Sequence, residues 1–60
     1  MTPAALLLLI FSTLGGIEVT KADPKAAHAL LNDGLIQVVP VAHAVYYTVA
    51  PRGYARIVRL

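Results

Sequence analysis

Cysteine and tryptophan are absent from this 60-residue chain, and its acidic side chains number only three, Glu18, Asp23 and Asp33. Without cysteine there is neither a disulfide framework nor a thiolate zinc site. Charged residues make up 13% of the chain against 58% hydrophobic residues, which excludes a disordered acidic or basic tail. Internal repeats, low-complexity tracts and linkers are missing too, so residues 1–60 read as one domain. A domain of this size buries only about 60% of its chain surface and is marginal alone. Of the usual reinforcements of a small fold, association is the one that remains. Self-association or a permanent partner is therefore the first expectation.

A hydrophobic run long enough to span a bilayer is also lacking. Residues 4–14 are the most apolar stretch, but 11 residues make roughly 16 Å of helix against a hydrocarbon core of about 30 Å. No Lys or Arg precedes the run, Gly15-Gly16 interrupts it, and Glu18 and Lys21 follow at once. The positive region and the small-x-small cleavage site of a secretory signal are not there. A buried helix in a cytoplasmic protein is the preferred reading, and a small membrane-associated protein ranks third among the alternatives.

Charge is unevenly spread. Residues 1–33 carry Lys21 and Lys25 against the three acids, a net of −1, whereas residues 34–60 carry Arg52, Arg56 and Arg59 with no acid, a net of +3. The asymmetry points to an anionic partner for the C-terminal part. Three charges are nevertheless fewer than strong non-specific DNA binders use.

Thr2-Pro3 pairs an N-cap with the proline-favoured first helical position, which predicts a helix over residues 3–14 stopped by Gly15. After Pro3, Ser12 and Thr13 are its only polar side chains. A helix apolar all round must be covered on all sides. The rest of the chain is too small for that, so a second copy or a partner is expected to supply the missing wall, through Leu6, Leu7, Leu9, Ile10 and Phe11. Residues 17–20 alternate and suit a short strand. Asp23-Pro24 opens a second helix that runs to about Asn32, with Asp33-Gly34 as its stop. Its apolar stripe is Ala27, Leu30 and Leu31. Lys25, His28 and Asn32, at i, i+3 and i+7, share the opposite, exposed face.

Residues 35–41 are rich in β-formers but hold Pro40, which fits an edge strand. Residues 42–44 serve as a loop, and residues 45–49 form a strong strand, so the two make a hairpin whose register no Gly, Asn or Asp fixes. Tyr46 and Tyr47 point to opposite faces, one to the core and the other to solvent. Pro51 opens a last helix reaching Leu60, with Arg52, Arg56 and Arg59 on one stripe and Tyr54, Ile57 and Val58 on the other.

Two phrases, Leu30-Leu31-Asn32-Asp33-Gly34-Leu35-Ile36 and Tyr47-Thr48-Val49-Ala50-Pro51-Arg52-Gly53-Tyr54-Ala55, resemble the end of winged helix-turn-helix regulators. There a helix closes on Leu-x-x-x-Gly-Leu-Ile and enters the first wing strand. The second wing strand ends in Tyr-x-(Leu/Val)-Thr-x-(Lys/Arg)-Gly, which opens the next helix. The likeness covers residues 24–60. It implies an α+β, winged-helix-like domain of a transcriptional regulator, with the second helix in the recognition position and the hairpin as wing, its tip at His43. Three features depart from the pattern. About eight residues separate the first two helices, leaving at most a turn for the usual intervening helix. The wing tip has no Lys or Arg, and Ala50 replaces the helix-opening Thr. The abbreviated plan suits a phage or mobile-element regulator.

Candidate DNA contacts are then Lys21, Lys25, His28, Asn32 and His43, with Arg52, Arg56 and Arg59 as phosphate clamps. The same side chains would equally furnish the solvated faces of an apolar protein, and Asp33 beside them repels phosphate. Two histidines without cysteine or a carboxylate pair make a poor metal shell, so no metal or cofactor is expected. No nucleophile–base–acid set and no phosphate-binding glycine loop is present, which argues against an enzyme. The reading is a DNA-binding homodimeric regulator. Its main alternative is a protein-interaction module that docks on a larger partner such as transcription machinery.

Overall fold

The computed structural model of the protein describes residues 1–59. Elements follow in the order α1 (Pro3–Thr13), β1 (Ile17–Glu18), a 3₁₀ turn (Val19–Lys21), α2 (Pro24–Asn32), β2 (Ile36–Val41), β3 (Ala44–Val49) and α3 (Pro51–Val58). The strands form one antiparallel sheet in the order β1-β3-β2. Among the described residues the fold is thus α+β, three helices with a three-stranded sheet. Leu60, the expected end of the last helix, lies outside the described residues.

Local chemistry sets the helix ends. The Thr2 hydroxyl accepts from the Ala5 N–H at 3.2 Å and the Asp23 carboxylate from the Ala26 N–H at 3.2 Å, each followed by Pro in the first turn. At the far end of α2, the Leu35 N–H donates to the Leu30 carbonyl and the Gly34 N–H to the Leu31 carbonyl, with Gly34 at φ +71°. This is a Schellman closure, and Leu30 and Leu35 meet in the core, as that motif favours. Ala50, at the cap position of α3, makes no side-chain capping bond.

The core is small: Ala5, Leu8 and Leu9 of α1, Ala26, Ala27 and Leu30 of α2, and Leu35 and Ile36. Ser12 is buried with them and donates its hydroxyl to the Leu9 carbonyl at 2.6 Å. α3 is seated by a glycine. A Cβ on Gly53 would overlap the Leu35 carbonyl oxygen and lie 3.1 Å from Leu9 Cδ1. That same carbonyl accepts from the Ala50 N–H at 3.0 Å, so the start of α3 is pinned to the entry of β2.

Several expectations are corrected. Leu9, expected at an intermolecular interface, is 0% exposed within its own chain and cannot serve one. The chain covers α1 more fully than its length implied. Ala5, Leu8, Leu9 and Ser12 are enclosed and Leu6 is half-buried, while Leu7, Ile10, Phe11 and Leu14 remain exposed. The strand expected over residues 17–20 stops at Glu18, and the chain turns through the 3₁₀ segment to reach the Asp23 cap. The hairpin loop is two residues, Ala42 and His43, and neither has positive φ. Pro40 stays inside β2, opposite Val45, as the outer position of that strand permits. Tyr47 packs against the core, as expected of one of the two tyrosines, but Tyr46 is half-buried rather than exposed. On α3, Tyr54 and Val58 are exposed, and the helix rests on Gly53 and Ile57. No helix of the described residues is long and apolar enough to cross a membrane.

Candidate nucleic-acid interface

α2 divides cleanly. Ala26, Ala27 and Leu30 enter the core, and Lys25, His28 and Asn32 stand exposed along the outer side. Among the described residues no hydrogen bond or ion pair occupies these three side chains. Two cationic or ring-nitrogen groups and one amide therefore face solvent over about two turns of helix. They supply donors, and through the amide and ring also acceptors, of the kind that read base edges.

At its C-terminal end this face meets a groove of about 350 Å³ between the α2–β2 turn and α3, lined by Asp33, Leu35, Arg52, Ala55, Arg56 and Arg59. The stem of Arg52 lies over the turn, its Cδ 3.8 Å from where a Gly34 side chain would begin. Three of the groove's six lining residues are arginines. No carboxylate lies within 4.0 Å of them among the described residues, although Asp33 shares the groove. Such a groove favours a planar or branched anion held bidentately. Arg52 beside the C-terminus of α2, and Arg56 in the last turn of α3, also sit where helix dipoles favour a cation.

The fold does not gather all the expected residues. Lys21 ends the 3₁₀ turn, its Nζ 4.0 Å from the half-buried Glu18 carboxylate, a surface pair of little energetic weight. It borders a second, apolar cleft rather than the outer side of α2. His43 occupies the hairpin tip, and between Gln37 and Thr48 there is no Lys, Arg, Asp or Glu. Val38, Val41 and Val45 are exposed on that hairpin. The gathered set is thus the α2 trio and the arginine groove. Leu35 and Ala55 escape a sequence reading, because they join the groove only through the contact between α3 and the α2–β2 turn. Among the described residues no three His, Asp or Glu side chains come together as a metal site.

Set against family models, curated proteins and solved structures, the chain matches none.

Proposed function

We propose that this protein is a small DNA-binding regulator of winged-helix-like plan, not an enzyme, that acts in pairs. α2 takes the recognition position and the β2–β3 hairpin that of the wing. The observation that carries the reading is the unpaired, donor-rich outer face of α2, continued at its end by the arginine groove. The helix–strand–helix–hairpin–helix order and the antiparallel pairing of β2 with β3 are compatible with that plan. In it, Lys25, His28 and Asn32 approach bases or phosphates, and Arg52, Arg56 and Arg59 hold the backbone. The 3₁₀ turn replaces a bracing helix, so affinity rests heavily on charge.

Polarisation of labelled duplex DNA across a salt series tests the reading. Binding at low salt should weaken steeply as salt rises, with a logarithmic slope of about −0.9 per phosphate neutralised. Lys25→Glu with His28→Glu should abolish it. Absence of binding at low salt overturns the proposal.

One observation favours a second reading, a protein-interaction module. The wing is apolar and carries no formal charge, with Val38, Val41 and Val45 exposed, where a DNA-contacting wing gains from Lys or Arg. A single stoichiometric protein partner, retained after nuclease treatment, would favour it.

A further inference from the structure

The outer side of α1 exposes several large apolar side chains, and they are organised. Pro3, Leu7, Ile10 and Leu14 follow one another at spacings of four, three and four residues, the period of a helix-pairing seam. Leu7 is 55% exposed, Leu14 73% and Phe11 46%, although their neighbours Leu8 and Leu9 are enclosed. Beside this ridge runs a cleft of about 220 Å³ whose walls include Leu7 and Phe11 from α1 and Ile17 and Ala22 from the following segment, with Lys21 and Asp23 at its rim. One helix thus carries both a protruding row and the hollow next to it.

We propose that this ridge and cleft form a self-docking surface, and that its occupant is the α1 ridge of a second copy of this chain. The inference rests on the reading of a paired DNA-binding regulator and deepens it by naming the surface that pairs. Three observations select a second copy. A two-fold interface uses one patch twice and must be self-complementary, which a ridge adjoining a hollow on one element provides. The charges agree: α1 has no ionisable side chain, while the cleft is lined by Lys21 and Asp23, with Glu18 4.0 Å from Lys21, so a two-fold contact can set opposite signs against each other. A lipid surface fits less well. Interfacial helices place several Lys or Arg along the apolar face's borders, whereas Lys21, the cation lining this cleft, is accompanied by Asp23 and Glu18, and the arginines belong to α3. That helix packs through Gly53 on Leu9, on the side of α1 opposite Leu7. A contact built on one three-turn helix is small by the standard of stable complexes, so association should be reversible.

Sedimentation of the whole chain from micromolar to millimolar concentration tests this, using the wild type, Leu7→Gln with Leu14→Gln, and Val41→Gln as a control on the wing. Both ridge positions are exposed in the single chain, so the double variant should keep its circular dichroism. Its net charge is unchanged. The wild type should approach twice the 6.4 kDa chain mass, as should the control. The ridge variant should dissociate about 100-fold more readily, as expected for loss of two apolar side chains from a small interface. A wild type that stays at 6.4 kDa throughout overturns the proposal, as does a ridge variant that still pairs. A chain that remains single but co-sediments with phosphatidylcholine–phosphatidylglycerol vesicles also overturns it, in favour of a lipid occupant. Should the double variant lose its fold, Leu14→Gln alone, at the most exposed ridge position, must still shift the equilibrium. DNA binding is scored separately: a wild type that pairs but ignores duplex DNA sinks the DNA reading and leaves the docking surface standing.

Discussion

α1 and α2 are written in the same local grammar yet face the solvent differently. Each opens with a side-chain cap and a proline, each is followed by a glycine at positive φ, and each gives its inner side to one small core. Their outer sides diverge. On α2 it is Lys25, His28 and Asn32; on α1 and its C-cap it is Leu7, Ile10 and Leu14. Caps and stops decide where a helix lies, whereas the composition of the outer side decides what it meets. By that rule α2 presents a polar side to water, whereas α1 leaves an apolar side uncovered within its own chain.

The comparison depends on a shared support, and the largest effect should come from removing it. Gly53→Ala drives a methyl into the Leu35 carbonyl and toward Leu9, so it loosens both inner sides at once. Overpacking of this kind costs about 3 kcal/mol, enough to unfold a domain of this size at moderate temperature. Thermal denaturation should show no cooperative transition or one shifted far down.

Next come the two sides of α1. Leu9→Ala empties a fully buried site and should cost about 3 kcal/mol. Leu7→Gln, two residues away and on the other side, should cost under ~1 kcal/mol in the single chain while weakening self-association. Chemical denaturation combined with sedimentation separates the two. Equal stability losses at both positions would erase the distinction between inner and outer sides.

The grammar common to both helices can be tested symmetrically. Thr2→Ala and Asp23→Ala each remove one capping acceptor and should each cost about 1 kcal/mol. At this chain length that is a fall of roughly 4–8 °C in Tm.

The smallest stability effect belongs to the outer side of α2. Lys25→Glu with His28→Glu should change stability by less than about 0.5 kcal/mol, since both are exposed and a carboxylate in the first turn suits the helix dipole. Their effect should appear in DNA affinity alone. Charge reversal that unfolds the chain would mean these residues hold α2 in place.

Much of this plan was legible in the sequence, for reasons that can be named. The Asp23-Pro24 opening and the Asp33-Gly34 close mark α2 because cap, fixed φ and left-handed glycine are local properties. Pro40 correctly marks β2 as an outer strand. What escaped depends on direction in space. A helix apolar all round does not announce which side is inner, so Leu9 and Leu7 look alike until packing separates them. The alternation of residues 17–20 is equally compatible with a longer strand, and only the need to swing back to the Asp23 cap ends it at Glu18. The arginine stripe was visible at i, i+4 and i+7. The groove it lines was not, because Asp33, Leu35 and Ala55 reach it through the seating of Gly53 on Leu35.

The division of labour between α1 and α2 is tested most directly by the molar mass in solution, measured by light scattering with and without duplex DNA. The protein alone should have a mass near twice 6.4 kDa. At low salt one duplex should carry two chains. A mass of 6.4 kDa at every concentration, with the duplex unchanged by added protein, would contradict that division of labour.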